Sequence, residues 1–463
     1  MNNSLRLGID TLAVFPPDEA ECFTYDRAAQ TIGIIHFGIG AFHRAHMAWY
    51  TDRAMEAGDQ NWAIIGVSLR SAEVAHQMNP QQGLFTVTTR NADGAQTRII
   101  GAVRDVLVAP YETDDVIALI AAPTTHIISF TITEKGYCRA ANGALDFALA
   151  GDSSVYHYLS AGLRRRHDVG HTGLTLLCCD NLANNGAQLA RLLGEYLTHH
   201  DPALLGWFSE NCTCPSTMVD RIVPATTPAD RDSIAETLDG LRDEAAVITE
   251  TFSQWVIEDN FAGPRPAWEN VGAQMVADVA PYEEAKLRML NGAHSALAYL
   301  GLEAGHKYVH QAVADPKIRP IIDQLIRQEA APSITAAPEQ DLNAYADALL
   351  ARFANPALNH QLIQIAMDGS QKIPQRWLTT LAYHRAQNQS CPAIFTALAA
   401  WLRHIRGQTD PVNDPLANAM QQAWLDVGAA GITSALFGYG GLIASDWQPT
   451  AQECTTLLEY LRL

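Results

Sequence analysis

Residues 286 to 295 read KLRMLNGAHS, which sets a lysine, an asparagine and a histidine into a largely apolar helical pattern. On a helix that advances about 100° per residue, Lys286, Asn291 and His294 share an arc of about 140°. They can face one pocket. A lysine held at low dielectric has its ammonium form disfavoured, so Lys286 can act as a base near neutral pH. The Asn291 amide can donate to an oxygen that gains negative charge, and His294 can orient the same hydroxyl. Gly292 costs a helix about 1 kcal/mol relative to alanine and removes bulk beside the three. The same triple also fits a snorkelling lysine and a satisfied core histidine, and spacing alone does not separate the two.

A second constellation lies near the N-terminus. Gly38 and Gly40 follow the apolar run IGIIHF (32 to 37) and precede the helical pattern AFHRAHMAWYTDRAMEAG. That is the context of a G-x-G-x-x-G fingerprint, whose glycines let backbone approach a pyrophosphate at a helix N-terminus. His43 stands in place of the third glycine, and a plain tight turn fits equally well. Beyond the next strand, an acidic residue binds a ribose 2′-hydroxyl and repels a 2′-phosphate. Glu73 there favours NAD and Arg70 admits NADP, while both also fit solvated residues at a helix start. NAD is the expected cofactor.

The elements that must position these residues change character along the chain. Apolar runs at 32 to 37, WAIIGVSL, LFTVTT, TRIIGAV, THIISFTIT and GLTLLCCDN alternate with helical segments such as SAEVAHQM and DDVIALIAA. Continuous apolar strands of this kind predict a mostly parallel sheet covered on both faces. From about residue 277 the strands fade. Helical segments follow, several opened by Asp or Pro, including DPKIRPIIDQLIRQEA, DLNAYADALLARFA, CPAIFTALAAWLRHIRG and DPLANAMQQAWLDV. The expected division is an α/β dinucleotide-binding domain over 1–276 and a helical domain over 277–463.

Bulk properties narrow the function classes. With 463 residues and 48% hydrophobic composition, the chain is long enough for two cores. Lys and Arg number 31 against 50 Asp and Glu, a net charge of −19, which argues against nucleic acid or an anionic membrane as partner. The eight cysteines are scattered in no disulfide or zinc pattern. Neither a signal segment nor a run of about 18 apolar residues occurs, so a soluble cytoplasmic protein is expected.

Seven ordered landmarks resemble the mannitol dehydrogenase family of polyol-specific long-chain dehydrogenases: IIHFGIGAFHRAH, SFTITEKGYC, CDNLANNG, MVDRIVP, QWVIEDNFAGPRPAWENVGAQ, KLRMLNGAH and DGSQKIPQR. The resemblance implies a Rossmann-type domain followed by a helical one, with the active site between them. It also implies a zinc-independent, NAD(P)-dependent oxidation of a secondary alcohol. Lys286 matches the general base, Asn181 and Asn291 the pair that holds the alkoxide, and His294 the group that hydrogen-bonds the reactive oxygen. Glu283 matches a proton route to solvent, although it also fits a surface partner of Lys286 at i+3; Glu284 with Arg288 is the plain helix pair beside it. Cofactor contacts fall on Phe37, Gly38, Ile39, Gly40, Glu73 and Glu134.

The resemblance also bears on substrate. Asp220 and Lys372 match positions that contact substrate hydroxyls or shape the pocket, though Asp220 beside Arg221 equally fits an ion pair bridging two elements. Eight residues before Lys372, the mannitol dehydrogenases resembled here carry an arginine, and this chain has Gln364. IAMDGSQKIPQR and TFSQWVIEDNF look closer to the fructuronate reductase branch. A carboxylate would need cations at the far end of the pocket, and Lys372 and Arg376 are candidates. D-mannonate and D-fructuronate are therefore the expected pair, with a neutral polyol such as mannitol or arabinitol as the alternative. A non-catalytic nucleotide-binding regulator is disfavoured by the lysine. A monomer or small homo-oligomer without a metal is expected.

Overall fold

The computed structural model describes residues 5–14, 16–92, 94–357 and 359–462. Two compact units divide the chain, Met1–Val279 and Ala280–Leu463.

In the first unit the strands Ile32–Phe37, Ala63–Ser68, Val103–Val108, Ile127–Phe130 and Thr175–Cys178 form a parallel sheet. Their spatial order is Val103–Val108, Ala63–Ser68, Ile32–Phe37, Ile127–Phe130, Thr175–Cys178, so the order reverses beside the first strand. This is the doubly wound arrangement, with a crevice at the point of reversal. Successive side chains leave opposite faces. Ile34, Ile64, Val106 and Ile127 enter one core, while Ile35, Val67, Ile128 and Leu176 enter another. Burial on both faces explains why these strands read as unbroken apolar runs.

Two of the expected strands lie elsewhere. LFTVTT and TRIIGAV contribute Phe85–Asn91 and Gly94–Ile100, an antiparallel hairpin with Thr88 opposite Thr97. The link between them is too short for the crossover that parallel strands need. The hairpin belongs to a mixed four-stranded sheet with Ala20–Glu21 and Val247–Glu250. Val247–Glu250, together with Thr217–Asp220, Gln254–Glu258 and Gln274–Val276 of a three-stranded sheet, are strands the periodicity did not single out. They span five residues or fewer, too short for alternation to stand out.

The second unit is helical around one core that includes Met289, Leu297, Leu325, Leu349, Trp377 and Trp401. Asp341 caps Leu342–Phe353, accepting from Asn343 N and Ala344 N at 2.9 Å each, and Pro392 opens Pro392–His404. Three π-turns, Lys286–Asn291, Leu325–Ala330 and Pro374–Leu378, interrupt the α-helical ladder. Among the described residues, no helix is long and apolar enough to cross a membrane.

Candidate active site

In the first unit a cleft of about 350 Å³ opens where the sheet order reverses, lined by residues at or just past the ends of three adjacent strands: Gly38, Ile39 and Gly40; Ser68, Leu69, Arg70 and Ser71; and Thr131, Ile132 and Thr133. Gly38 has φ +94°, and a Cβ there would meet the Thr131 carbonyl oxygen at 2.1 Å. Only glycine fits. At Gly40 a Cβ would meet nothing nearer than 3.9 Å, so the fold itself does not require that glycine, and the space beside it is left to the cleft.

A buried histidine braces this turn. The Thr131 hydroxyl donates to the Gly38 carbonyl at 2.7 Å, which leaves its oxygen to accept from His36 Nε2 at 2.8 Å. His36 Nδ1 then accepts from the Ser129 hydroxyl at 2.8 Å. Both bonds suit a neutral ring, and burial pushes the His36 pKa down to about 3. His43, at the place of the third glycine, stacks on His36 with centroids 3.5 Å apart. The following helix is broken there: Ala41–Ala45 ends at His46, whose Nε2 donates to the Gln254 carbonyl, and Met47–Glu56 begins anew.

The CDNLANNG landmark divides into scaffold and surface. Asp180 accepts from Ile132 N at 2.9 Å, Thr133 N at 3.0 Å and the Tyr137 hydroxyl at 2.7 Å, fixing one wall of the cleft. Asn185 donates to the carbonyls of Asp180 at 3.0 Å and Thr217 at 2.8 Å, tying that turn to the Thr217–Asp220 strand. Asn181, between them, is exposed, and Asp220 is buried at its strand end. Arg221 gives its guanidinium to the carbonyls of Glu250 and Ala45.

The other cofactor expectations distribute unevenly. Ile39 lines the cleft and packs into the space left by Gly66, while the Phe37 ring is buried in the core against Phe130. Glu73 and Glu134 are exposed and stand beside the lining rather than in it. Arg70 and Lys135 are the cations that line it. Lys135 was passed over in the sequence, although it sits within the SFTITEKGYC landmark.

In the second unit Glu283 lies in Ala280–Ala285, Lys286 and Asn291 are the first and last residues of the π-turn, and His294 follows in Gly292–Glu303. All four are half-buried. A π-turn bonds residue i to i+5, so residues five apart come to one face. Lys286 and Asn291 are five apart. The spacing that spreads them on an α-helix aligns them here, and His294 follows at the i+3 spacing of the next α-turn. Glu284 and Arg288 form the expected surface pair at 3.5 Å.

A second π-turn supplies side-chain donors to the carbonyls where this turn passes into the α-helix. Arg376 Nη1 donates to the Asn291 carbonyl at 3.1 Å and the Ser295 hydroxyl at 2.7 Å, and Trp377 Nε1 donates to the Gly292 carbonyl at 3.0 Å. A Cβ on Gly292 would meet the Arg376 carbonyl oxygen at 3.3 Å. The room at Gly292 thus serves close packing of the two turns, and part of Arg376 is spent on holding them. Lys372 Nζ donates to the Met367 carbonyl at 2.6 Å.

His294 sits against Phe353 and His360, ring centroids 4.9 Å and 5.0 Å away. Burial first, then His360 and the charges of Arg352, Arg376 and Lys372, holds its pKa well below the ordinary histidine value. His294 is neutral through the physiological range. Neither Arg352 nor His360 carried a sequence signal: LARFANP and NHQ share no landmark and no helical spacing with the polar triple.

A doubly wound sheet with a glycine-turn cleft at its reversal, joined in one chain to a helical unit carrying lysine and asparagine on a π-turn and histidine on the α-turn after it, defines a dinucleotide-dependent oxidoreductase. Residues 32–270 match the mannitol dehydrogenase Rossmann domain and 278–436 the mannitol dehydrogenase C-terminal domain. The chain belongs to the mannitol dehydrogenase family and acts on the CH–OH group of its donor. It is 39% identical over 443 residues to D-mannonate oxidoreductase of Escherichia coli (strain K12), covering 91% of each chain. Among solved structures it is similar to D-sorbitol dehydrogenase in substrate-free form (31% identity, TM-score 0.89, 98% of this chain and 96% of that one). It is also similar to Pseudomonas fluorescens mannitol 2-dehydrogenase in complex with NAD and D-mannitol (33% identity, TM-score 0.81, 99% and 96%).

Proposed function

We propose that the protein is an NAD-dependent enzyme that interconverts D-mannonate and D-fructuronate, with Lys286 as general base and acid. The carrying observation is the charge about His294: Arg352, Lys372 and Arg376 all act on it. A carboxylate-bearing substrate gains from that positive charge, whereas a neutral polyol does not. Similarity to D-mannonate oxidoreductase over 91% of the chain supports the same choice. The alternative, a neutral polyol, has support from the likeness to the mannitol 2-dehydrogenase complex.

A nicotinamide, when bound, supplies the hydride acceptor or donor. NAD is the proposed form, held along Gly38, Ile39 and Gly40, with Glu73 and Glu134 as further contacts; NADP is the second arm of the test because Arg70 and Lys135 line the cleft. Lys286 takes the hydroxyl proton as the C–H hydride leaves in oxidation, and returns it in reduction. The Asn291 amide donates to the oxygen as charge develops, and Asn181 is assigned a second donation to it. Neutral His294 hydrogen-bonds that oxygen without competing for the proton. Glu283 passes the proton of Lys286 to solvent, and Asp220 and Lys372 bind substrate hydroxyls or the carboxylate. Eight free thiols fit a reducing cytoplasm, with the enzyme a monomer or small homo-oligomer.

The test follows absorbance of NADH or NADPH with the purified protein and a panel of keto-uronates and ketoses. Oxidation of NADH by D-fructuronate in preference to D-fructose is expected, and Lys286→Ala should abolish turnover while NADH still binds. A variant with full activity would remove Lys286 from its role.

A further inference from the structure

We infer that Asp180 is a positioning residue for cofactor binding, holding Thr133 in a strained positive-φ turn that shapes one wall of the dinucleotide cleft. The inference rests on the preceding reading that this cleft takes NAD(H). Thr133 lines the cleft and has φ +64°. For a β-branched residue that is an outlier, because the Cβ crowds the following carbonyl, and Gly, Asn or Asp is the usual occupant. Such a conformation persists only where its surroundings over-determine it.

Asp180 supplies that constraint with both carboxylate oxygens. Oδ1 accepts from Thr133 N at 3.0 Å, while Oδ2 accepts from Ile132 N at 2.9 Å and from the Tyr137 hydroxyl at 2.7 Å. All three partners donate, so the place suits a carboxylate, and an amide there would set one N–H against another. Asp180 is itself anchored, since its carbonyl accepts from Asn185 Nδ2 at 3.0 Å and Leu182 N at 2.8 Å. The segment it grips closes on the glycine turn: Thr131 N donates to the Phe37 carbonyl at 2.9 Å, and a Cβ on Gly38 would lie 3.2 Å from Ile132 N. Lys135 and Gly136, also in the lining, follow Thr133, so the direction in which the chain leaves that residue places them too. Were Thr133 to relax to negative φ, this wall would shift, and a bound dinucleotide would have to restore it. With the clamp in place, folding rather than binding bears the cost of ordering the wall.

The experiment compares Asp180→Asn, Thr133→Gly and the double variant with the wild type by fluorescence titration with NADH, alongside unfolding midpoints and steady-state kinetics. Glycine adopts positive φ without strain, so a turn built on it no longer needs the clamp. Asp180→Asn is expected to raise the dissociation constant and KM for NADH about tenfold or more, the scale of one lost hydrogen bond to a charged group. Its kcat at saturating NADH should hold, because the anchored Asp180 carbonyl keeps Asn181 in place. On the Thr133→Gly background the same substitution should weaken NADH binding by less than about threefold, the non-additivity expected of two residues in one contact. Equal losses on both backgrounds, or unchanged NADH binding in Asp180→Asn, would overturn the inference while dinucleotide binding in the cleft stands. Should Asp180→Asn not fold, the double variant decides: folding with NADH bound near the Thr133→Gly level upholds the clamp, and failure of both variants overturns it. A wild type that binds neither NADH nor NADPH would overturn the cofactor reading as well.

Discussion

Gly38 and Gly40 stand two residues apart and answer to different constraints. The first has a left-handed backbone pressed on Thr131, while the second has ordinary extended φ and ψ and open space beside it. Gly38→Ala should therefore destabilise the protein by about 2 kcal/mol or more in urea unfolding. Gly40→Ala should leave the unfolding midpoint within about 2 °C of wild type and weaken NADH binding roughly tenfold, because its Cβ would enter the space a pyrophosphate needs. Equal loss of stability in the two variants would show that Gly40 serves the fold after all. Both glycines were legible in the chain, being residue types with few structural uses after a strand. The histidine that braces them was not, since His36 reads as one more position in IGIIHF until Ser129 and Thr131 arrive from a neighbouring strand.

At the scale of elements, two π-turns are packed against each other and each explains a sequence feature of the other. Lys286 and Asn291 need the first turn to share a face. Gly292, Arg376 and Trp377 form the seam that holds it. Trp377→Phe keeps the buried ring and removes the donor to the Gly292 carbonyl, so it should cost about 1–3 kcal/mol in denaturant unfolding. It should also lower kcat more than it raises KM for NADH, because the carbonyl it releases adjoins Asn291. A neutral effect on both stability and kcat would show that the wide turn holds itself. The K-x-x-x-x-N-x-x-H spacing was visible in the sequence, but its turn was not. A π-turn has no composition of its own, and its partner lies more than eighty residues away along the chain.

Across the whole molecule, buried histidines link stability to pH. His43 is fully buried, neither ring nitrogen has a hydrogen-bond partner among the described residues, and its pKa lies well below the ordinary value, through burial first and then through His36, Arg44 and His46. A base with a depressed folded pKa contributes stability that is complete above its unfolded value near 6.5 and declines as pH falls below it. Between pH 7 and pH 5.5 the wild-type unfolding free energy should therefore fall more steeply than that of His43→Phe. The difference should approach about 1.4 kcal/mol per pH unit at the acid end of that window, measured by denaturant titration at each pH. Parallel slopes would show that His43 does not titrate on unfolding. The sequence by itself determined the alternation of buried strands and helices, the helical second half, the paired glycines Gly38 and Gly40, and the polar triple with Gly292. Each of these is written in local periodicity or in residue types with few structural uses. Only the tertiary structure decided that LFTVTT and TRIIGAV leave the parallel sheet, that Arg376 holds a turn, and that Arg352 and His360 stand beside His294. Those outcomes depend on strand pairing and on side chains far apart in the chain, and local periodicity carries no information about which distant groups will meet.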